Sequence, residues 1–391
     1  MQIVSCLERY IVSVCAAALM LAGCSTMSPF QTSVPGSSAE ITALQASGEL
    51  PAPVPRQVLQ RQLQQIQGKP RPRRLHVDGG KVALWASYAF YSDLLGLNKK
   101  VDKVLVDVDT SASNCFTPVT VKVDHKQNVW IACEELNPHY PANFGGEQEY
   151  SSSGTVEQSY AFDASRYCVS GYRFCAAESL DGGPDNRGHV FAELSGGDSV
   201  VGSGTPHFMN PGFYWWDAND PSGPGTFIRA SRYCKPLCAI YYMDTDNSGN
   251  IWFDFATGDN GSGAGLGEIT NPTSSPSVKI VLPAGTYQYP AGVYVSKHGA
   301  VLNVTDQGTR YTYQYRLPVK PTSTPFNVLG PAIGLPIAGG FNKTESALAL
   351  GDYASGINIG KLPANRWSTK GCGLKSNESP CWGVAYTPSG K

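Results

Sequence analysis

Residues 239–257 constrain the fold more than any other stretch, because they read as two short strands folded back on a tight turn. Ile240, Tyr242 and Trp252 fall at positions that suit one pleated face of a strand pair. The DNSGN between the strands supplies Asp, Asn and Gly, which tolerate the backbone angles of a reversal. The pattern predicts a β-hairpin that could form the inner strand pair of a propeller blade.

The same hairpin pattern recurs at intervals of roughly 40 to 65 residues, a period typical of propeller blades with insertions. The five predicted copies lie at 119–133, 172–194, 239–257, 291–306 and 334–353. Segments between the copies alternate polar and aromatic residues, as partly exposed outer strands do. These outer strands are predicted at 155–163, 213–218, 226–231, 277–283, 310–318 and 356–363.

A sixth copy is only half present. Residues 382–390 (WGVAYTPSG) match one strand of the pattern and stop at its turn, and KVALWAS at 81–87 can supply the missing partner. AFYSDLLGL and KVLVDVD would then follow as outer strands. Closure by strands from both ends of the domain would hide two sheet edges. The sequence therefore predicts an all-β, six-bladed β-propeller over residues 75–391, closed by N- and C-terminal strands.

The clearest copy, Pro290–Val295 followed by Val301–Asp306, has the form PxGVxV…G…VxVxD. With this repeated form, residues 75–391 resemble the six-bladed NHL and SMP-30-like propeller superfamily. The resemblance implies a fold more than a function, because propellers carry many unrelated activities. SMP-30-like lactonases hold a divalent ion with Glu, Asn and Asp side chains on the propeller axis. The resemblance therefore implies a metal-dependent hydrolase or lyase as one alternative.

Residues 11–23 form an apolar run that is too short to span a bilayer, and the run ends in Leu21-Ala22-Gly23-Cys24. Small residues before a cysteine are typical of a bacterial lipobox, in which the Cys24 thiol accepts a diacylglyceryl group. This predicts a lipoprotein signal peptide at 1–23 and a lipidated, palmitate-bearing Cys24. An ordinary signal peptide is the alternative. Ser25 after the cysteine favours the outer membrane, by resemblance to enterobacterial lipoproteins.

Residues 24–74 are rich in Ser, Pro, Gln and Arg and cannot bury a core, which predicts a lipidated N-terminus followed by a disordered linker. Only 16% of the whole sequence is charged, and the formal net charge is −1. Bulk charge therefore gives no attraction to nucleic acid. We expect a monomer that is attached to the membrane by its lipid.

The sequence has eleven cysteines. Cys6 and Cys15 lie in the signal segment and Cys24 is the lipidation site, which leaves eight. An even number in an exported chain predicts disulfides, with 105 arrangements of four bonds open. Neighbours along the chain are the candidate pairs: Cys115 with Cys133, Cys168 with Cys175, Cys234 with Cys238, and Cys372 with Cys381.

Asp244, Asp246 and Ser248 match the first half of an EF-hand calcium loop, but Phe255 stands where the loop needs its bidentate Glu. A polar hairpin turn is the simpler interpretation, and a metal site is the alternative. Asp124 and Asp306, like Asp244, end or follow inner strands, where they are expected to cap turns. No divalent-metal triad and no catalytic triad can be assigned from the sequence.

The most concentrated aromatic signal is FYWWD at 213–217. Adjacent residues of a strand point to opposite faces, so either Trp215 or Trp216 should pack inside the blade. The other tryptophan, beside Asp217, is a candidate for stacking on a sugar ring or for anchoring a protein. His189 in an inner strand could face the channel, although a core position is the commoner outcome. Two functions are predicted: a lipid-anchored binding or assembly platform of the cell envelope or, alternatively, a lactonase-like hydrolase or lyase.

Overall fold

The computed structural model describes most of the chain after residue 79. The described residues are 80–88, 92–137, 142–162, 174–177, 179–185, 187–194, 198–200, 206–208, 212–223, 225–230, 238–257, 263–296, 298–352, 356–362, 365–372 and 381–388. They form strands and one short 3-10 helix at Thr110–Ser113. No helix within these ranges has the length and hydropathy needed to cross a membrane.

The strands are numbered in chain order. They are β1 (Leu84–Tyr88), β2 (Asp93–Leu97), β3 (Val104–Asp109), β4 (Pro118–Val123), β5 (Val129–Asn137), β6 (Ala142–Tyr150), β7 (Val156–Ala161), β8 (Phe174–Ala177), β9 (Gly182–Pro184), β10 (His189–Leu194), β11 (Asp198–Val200), β12 (Pro206–Phe208), β13 (Gly212–Asp217), β14 (Thr226–Arg229), β15 (Cys238–Thr245), β16 (Ile251–Thr257), β17 (Gly263–Thr270), β18 (Ser277–Tyr287), β19 (Pro290–Val295), β20 (Val301–Asp306), β21 (Tyr311–Arg316), β22 (Asn327–Leu329), β23 (Pro336–Phe341), β24 (Ala347–Asp352), β25 (Gly356–Lys361), β26 (Arg366–Lys370) and β27 (Val384–Tyr386).

The described strands form six sheets, which we number as blades along the chain. Blade 1 is β27-β1-β2-β3, blade 2 contains β4-β5-β6-β7, and blade 3 is β9-β10-β13-β14. Blades 4, 5 and 6 are β15–β18, β19–β22 and β23–β26. Each blade has one inner strand next to the ring axis. These inner strands contact one another in a closed circle, in the order β27, β4, β9, β15, β19, β23 and back to β27. The fold is therefore a closed six-bladed β-propeller, as predicted.

Blade 1 is completed by a strand far away in the sequence. β27 pairs antiparallel with β1, and Val384 lies opposite Ala86. The Gly383 N–H donates to Ser87 Oγ at 2.8 Å, although the two residues are 296 positions apart. Val384 is buried against apolar residues of blades 1 and 6. The predicted ring closure is confirmed, because β27 supplies the inner strand that β1 lacks.

Four of the five predicted hairpins pair as expected, namely β4–β5, β15–β16, β19–β20 and β23–β24. The prediction for 172–194 is wrong. β8 belongs to the sheet of blade 2, and β10 pairs with the three-residue strand β9 instead. The β9 sequence, GGP, has neither the apolar alternation nor the β-branched residues that mark a strand.

Blade 2 carries an extension that we call the wing, formed by β8, β11 and β12. β8 runs parallel to the first part of β6, whereas β7 pairs with the second part. β11 then pairs antiparallel with both β8 and β12. Because β11 and β12 lie between β10 and β13 in the sequence, the chain leaves blade 3 to build the wing and then returns.

An apolar cluster lies at each of the six interfaces between adjacent blades. Successive side chains of a strand point to opposite faces, so each blade can pack on both of its neighbours. Trp85 of blade 1, for example, packs with Ile131 of blade 2, and Trp252 of blade 4 packs with Leu302 of blade 5. All four side chains are fully buried. These interfaces form the hydrophobic core of the domain.

Candidate functional site

A lysine at the centre of the ring lies between aspartates of two other blades. Lys122 in β4 places Nζ 3.3 Å from Asp181 Oδ1 and 3.2 Å from Asp244 Oδ1, and it donates to the Met243 carbonyl at 2.7 Å. Asp181 directly precedes β9 of blade 3, and Asp244 lies in β15 of blade 4. We call Lys122, Asp181 and Asp244 the central ion cluster. The Lys122 and Asp244 side chains are 24% and 20% exposed, so one side of the cluster reaches solvent.

Asp181 joins three blades through one carboxylate. It accepts hydrogen bonds from Thr120 Oγ1 of blade 2 at 2.9 Å and from the Met243 N–H of blade 4 at 2.9 Å. The N–H of its own neighbour, Gly182, donates at 2.8 Å. Asp181 is 1% exposed, so these bonds form away from water. Its carboxylate therefore holds the inner segment of blade 3 between blades 2 and 4.

Asp244 extends the same network to blade 5. Its Oδ2 accepts from the Val295 N–H at the end of β19 at 2.7 Å, and its Oδ1 accepts from the Thr245 N–H at 3.0 Å. With the Lys122 contact, Asp244 connects blades 2, 4 and 5. Four consecutive blades are thus cross-linked by one ion cluster.

Lys122 carries its ammonium charge at neutral pH. Burial alone would lower the pKa of Lys122, but the carboxylates of Asp181 and Asp244 outweigh this effect and raise the pKa above its usual value. Burial raises the pKa of Asp181, and the Lys122 ammonium opposes that rise. The Lys122 ammonium and the Asp181 carboxylate therefore stabilise each other's charged forms.

Small residues let the backbones approach closely around the cluster. A Cβ at Gly383, next to β27, would collide with the backbone of residues 119–121 in β4. A Cβ at Gly292 in β19 would lie 3.0 Å from the Cα of Ala338 in β23. Gly183 in β9 has φ +129°, and a Cβ there would lie 3.1 Å from Lys122 Cδ. The missing side chain of Gly183 leaves room for Lys122, and those of Gly383 and Gly292 let neighbouring inner strands approach.

Three further carboxyl groups lie behind the cluster, and each is fully buried. Glu147 of blade 2 accepts from Ser179 Oγ at 3.2 Å, and Glu193 of blade 3 accepts from the Leu180 N–H at 2.9 Å. Asp254 of blade 4 accepts from the N–H groups of Tyr241 and Tyr242 at 3.2 and 3.0 Å. Burial, reinforced by the negative charge of Asp181, raises the pKa of all three carboxyl groups well above the usual range.

The three candidate metal ligands do not face one point. Asp244 belongs to the central ion cluster, whereas Asp246 accepts from the N–H of Ser248 at 2.8 Å and from Asn250 Nδ2 at 3.1 Å. Asp246 also accepts from the Trp252 indole N–H at 3.0 Å. Asp246 therefore caps the hairpin turn, while Ser248 contributes backbone groups. The metal interpretation of the three residues stays a prediction.

The capping arrangement of Asp246 recurs in blade 2. Asp124 accepts from the N–H of Asn128 at 2.8 Å and from the Trp130 indole N–H at 3.3 Å. Asp306, the third aspartate expected to cap a turn, accepts from the N–H groups of Gln288 and Tyr289 before β19 and from Gly308. Both aspartates therefore cap backbone turns, as their positions in the sequence indicated.

The residues at the axis do not fit the divalent ion that the SMP-30-like resemblance implies. Within the described ranges, no three His, Cys, Asp or Glu side chains are arranged to hold a metal ion. The carboxylates nearest the axis instead face Lys122 and backbone N–H groups. We therefore derive no chemical step through a metal at this centre.

Trp216, rather than Trp215, is the tryptophan buried in the core of the FYWWD segment. It is 2% exposed and packs between blades 2 and 3, where its ring centroid lies 5.8 Å from that of Tyr160. Trp215 points to the other face and is half-buried against blade 4. Asp217 is exposed and accepts from the Asn219 N–H at 2.8 Å. A ligand role for these residues stays a prediction.

His189 lies at the start of β10 and is not in the channel wall. Its Nδ1 is 2.8 Å from Asp185 Oδ2, and its ring contacts Trp215 edge to face with centroids 5.4 Å apart. Asp185 also accepts from the N–H groups of Arg187 and His189. The blade 3 turn therefore has a histidine at the position that holds an asparagine in blades 2 and 4, and Phe191 at the position that holds their tryptophan.

Cys115 and Cys133 form a disulfide with a Cα–Cα distance of 5.5 Å, as one of the candidate pairs predicted. Cys372 and Cys381 are paired as well, with Cα atoms 6.1 Å apart. Cys168 and Cys234, the side chains of Cys175 and Cys238, the lipidation site Cys24, the signal peptide and the linker all lie outside the described part of the chain.

Five residues of the centre were not predicted as site residues from the sequence, namely Lys122, Asp181, Glu147, Glu193 and Asp254. One signal was visible: Lys122 interrupts the apolar alternation of VTVKVD, and a charged side chain within an inner strand needs a partner. The partners could not be found from spacing, since Asp181 and Asp244 come from other blades.

The chain is similar to solved propeller structures at low sequence identity. A chain of a nidogen/laminin complex matches 78% of this chain and 98% of its own length, with 11% identity and a TM-score of 0.53. A hypothetical selenium-binding protein from Sulfolobus tokodaii matches 77% and 76%, with 8% identity and a TM-score of 0.52. A structure named as a gluconolactonase matches 68% and 77%, with 14% identity and a TM-score of 0.40.

No protein-family model and no curated protein sequence matches the chain. At identities this low the structural likenesses show the fold alone. The fold and the centre together define a six-bladed β-propeller whose inner strands are cross-linked by buried ionic and carboxyl groups.

Proposed function

We propose that this protein is a lipid-anchored platform of the cell envelope that binds or assembles other envelope components. The proposal rests on the bonding partners of the polar groups at the axis. Lys122, Asp181 and Asp244 bond to one another and to backbone groups of four blades. Such groups rigidify a scaffold, and a rigid ring presents its outer surfaces for binding.

The N-terminal sequence supports the proposed location. Leu21-Ala22-Gly23-Cys24 has the residue types that lipoprotein processing needs, and Ser25 favours delivery to the outer membrane. The linker at 24–74 would hold the propeller away from the lipid surface. Partners are then envelope proteins or carbohydrates at the periplasmic or outer face.

A lactonase-like hydrolase or lyase is the alternative. It is favoured by the number of carboxyl groups around the axis, because carboxylates serve as general acids and bases. The backbone and ammonium partners of these groups favour the platform instead. The two proposals differ in whether the domain turns over a lactone.

Fractionation of cells that express the full chain or Cys24→Ala tests the anchor. We expect the wild type in the membrane fraction, labelled by a fatty acid, and the variant unlabelled and either soluble or unprocessed. Cys115→Ala is the matched control, because it removes a cysteine of the Cys115–Cys133 disulfide rather than the lipidation site and should retain the label. Unchanged membrane recovery and mature size of Cys24→Ala would contradict the anchor.

Photo-crosslinking in intact cells tests the platform. A benzoylphenylalanine replaces exposed Asn219, near the FYWWD segment, or exposed Lys361 of blade 6. We expect a discrete crosslinked product of defined mass from at least one position in a diderm host. The purified chain is assayed in parallel for hydrolysis of sugar lactones with added Ca²⁺ or Mg²⁺. Turnover without any crosslinked product would support the hydrolase and sink the platform.

A further inference from the structure

The inner segment of blade 3, residues 179–181, is surrounded by more acidic groups than the described cations can balance. Four carboxyl groups around it are fully buried: Glu147, Asp181, Glu193 and Asp254. Lys122 is the cation in contact with this group, and it is engaged by Asp181 and Asp244 at 3.3 and 3.2 Å. In the described part of the chain, no Lys, Arg or His side chain forms an ion pair with the other three carboxyl groups.

Glu147, Glu193 and Asp254 share one bonding pattern. In each carboxyl group one oxygen accepts a hydrogen bond, and the other, Glu147 Oε2, Glu193 Oε1 or Asp254 Oδ2, is buried without a partner among the described residues. An ionised carboxylate spreads its charge over both oxygens, so a bare buried oxygen is costly. A protonated carboxyl group avoids most of that cost because it is neutral.

Two of the three groups bond directly to residues 179–181, and the third supports the part of β15 that bonds to Asp181. Glu147 of blade 2 bonds to Ser179, and Glu193 of blade 3 bonds to the Leu180 N–H. Asp254 receives the N–H groups of Tyr241 and Tyr242, where β15 departs from regular pairing next to Met243. Met243 in turn donates to Asp181. Loss of these contacts would loosen residues 179–181 and leave the bonds of Asp181 to hold the segment to blades 2 and 4.

We propose that Glu147, Glu193 and Asp254 are kept as neutral acids and form a proton-dependent latch that holds residues 179–185 against blades 2 and 4. At alkaline pH each carboxylate still accepts its hydrogen bond, but ionisation puts uncompensated buried charge beside Asp181, and the cost of burial and the mutual repulsion release the latch. The proposal concerns the mobility of the inner segment of blade 3 and does not depend on the lipid anchor or on any ligand.

The direction of the pH effect follows from proton binding. Burial raises the pKa of these three groups, so the folded chain retains protons that the unfolded chain has lost. Their contribution to stability is complete below the usual carboxyl range, near pH 4. It declines as the pH rises through the elevated values. The latch is therefore closed in acid and weakened in alkali.

The other titratable groups that face the latch come from each element packed against it: Lys122 of β4, Asp181 before β9, Tyr241 and Asp244 of β15, and Tyr289 before β19. Asp181 and Lys122 compensate each other as an ion pair. Burial raises the pKa of Tyr241 well above its usual value, so its ring stays neutral while the carboxyl groups titrate.

Infrared difference spectroscopy of the full chain in detergent tests the protonation states. At pH 7 we expect the C=O band of protonated carboxylic acids, and we expect Glu193→Gln and Asp254→Asn each to remove part of it. Glu157→Gln, which changes an exposed glutamate of β7, is the control and should leave the band unchanged. A wild-type spectrum without the band overturns the proposal even if every variant fails to fold.

Hydrogen exchange of the wild type tests the latch itself. After correction for intrinsic rates, amides of 179–185 should exchange about tenfold faster at pH 9 than at pH 6, while those of β20 in blade 5 keep their protection. In Glu193→Gln the pH dependence should fall, because the amide stays neutral. Equal protection of 179–185 at both pH values would overturn the latch.

Discussion

Blades 3 and 4 are adjacent and differ in how their inner strands are built. Blade 4 comes from one continuous stretch, and its inner strand β15 has eight residues. The inner strand of blade 3, β9, has only three residues, Gly182–Pro184. Between β10 and β13 of this blade the chain forms β11 and β12 of the wing. The charged groups of the centre converge on the shorter strand. We infer that strands with regularly alternating apolar side chains form the interfaces between blades. The short, glycine-rich strand β9 leaves space for polar side chains at the axis.

The largest expected effect comes from removing the cation that occupies this space. Lys122→Met keeps the length of the side chain but leaves Asp181 and Asp244 without their ammonium partner. We expect a loss of about 3 kcal/mol in the free energy of unfolding, below the full value for a buried pair because Lys122 is partly exposed. Urea unfolding of the full chain measures it. Lys279→Met on the exposed side of β18 is the control and should change stability by less than about 0.5 kcal/mol.

Adding a side chain to the glycine-rich strand β9 should lower the free energy of unfolding nearly as much. A methyl group at Gly182 would collide with Glu147 Oε1 and with the Phe191 carbonyl. We expect Gly182→Ala to destabilise the domain by about 2 kcal/mol, because the backbone of β9 must shift. Gly340→Ala in blade 6 has no atom within 4 Å of the new Cβ and is the control. Equal thermal midpoints for the two variants would show that blade 3 does not depend on its missing side chain.

Replacing one tryptophan of blade 4 with the residue type found at the same position in blade 3 should lower stability moderately. Trp252→Phe gives blade 4 the residue type that Phe191 provides at the same position after the turn aspartate. It removes the indole N–H that Asp246 accepts and leaves a small cavity, so we expect a loss of about 1 to 2 kcal/mol. Trp367→Phe, whose indole N–H bonds to exposed Asn365, should cost less. A larger loss for Trp367→Phe would reverse this ranking.

The smallest effect on stability is expected when a residue of blade 3 is replaced with its counterpart from blades 2 and 4. His189→Asn gives blade 3 the residue of the blade 2 and blade 4 turns, and an asparagine amide can still donate to Asp185. We expect the free energy of unfolding to stay within about 0.5 kcal/mol. Asp185→Ala is the comparison variant. It removes the acceptor of two backbone N–H groups and should cost about 1 kcal/mol. Similar losses for both variants would mean that the histidine has a structural role of its own.

The difference between the two blades also explains what the sequence could predict. The hairpin of blade 4 was visible because Ile240, Trp252 and the DNSGN turn are local signals, and the closing strand was visible because the half-copy at 382–390 lacked a partner. β9 was missed because GGP has no strand pattern. The partners of Lys122 were missed because contacts between blades depend on the closed ring, which no local pattern records. The wing was missed because its strands interrupt another blade.

The pairing of β27 with β1 sets the order in which the domain can fold. A chain that grows from its N-terminus exposes Trp85 and the open edge of β1 until Val384–Tyr386 have been made. Contacts this distant in sequence form slowly, and unpaired edges promote aggregation in the meantime. Until then blade 1 lacks its inner strand, although the strands of blades 2 to 6 have all been made. Chaperones that cover strand edges should act on it at that stage.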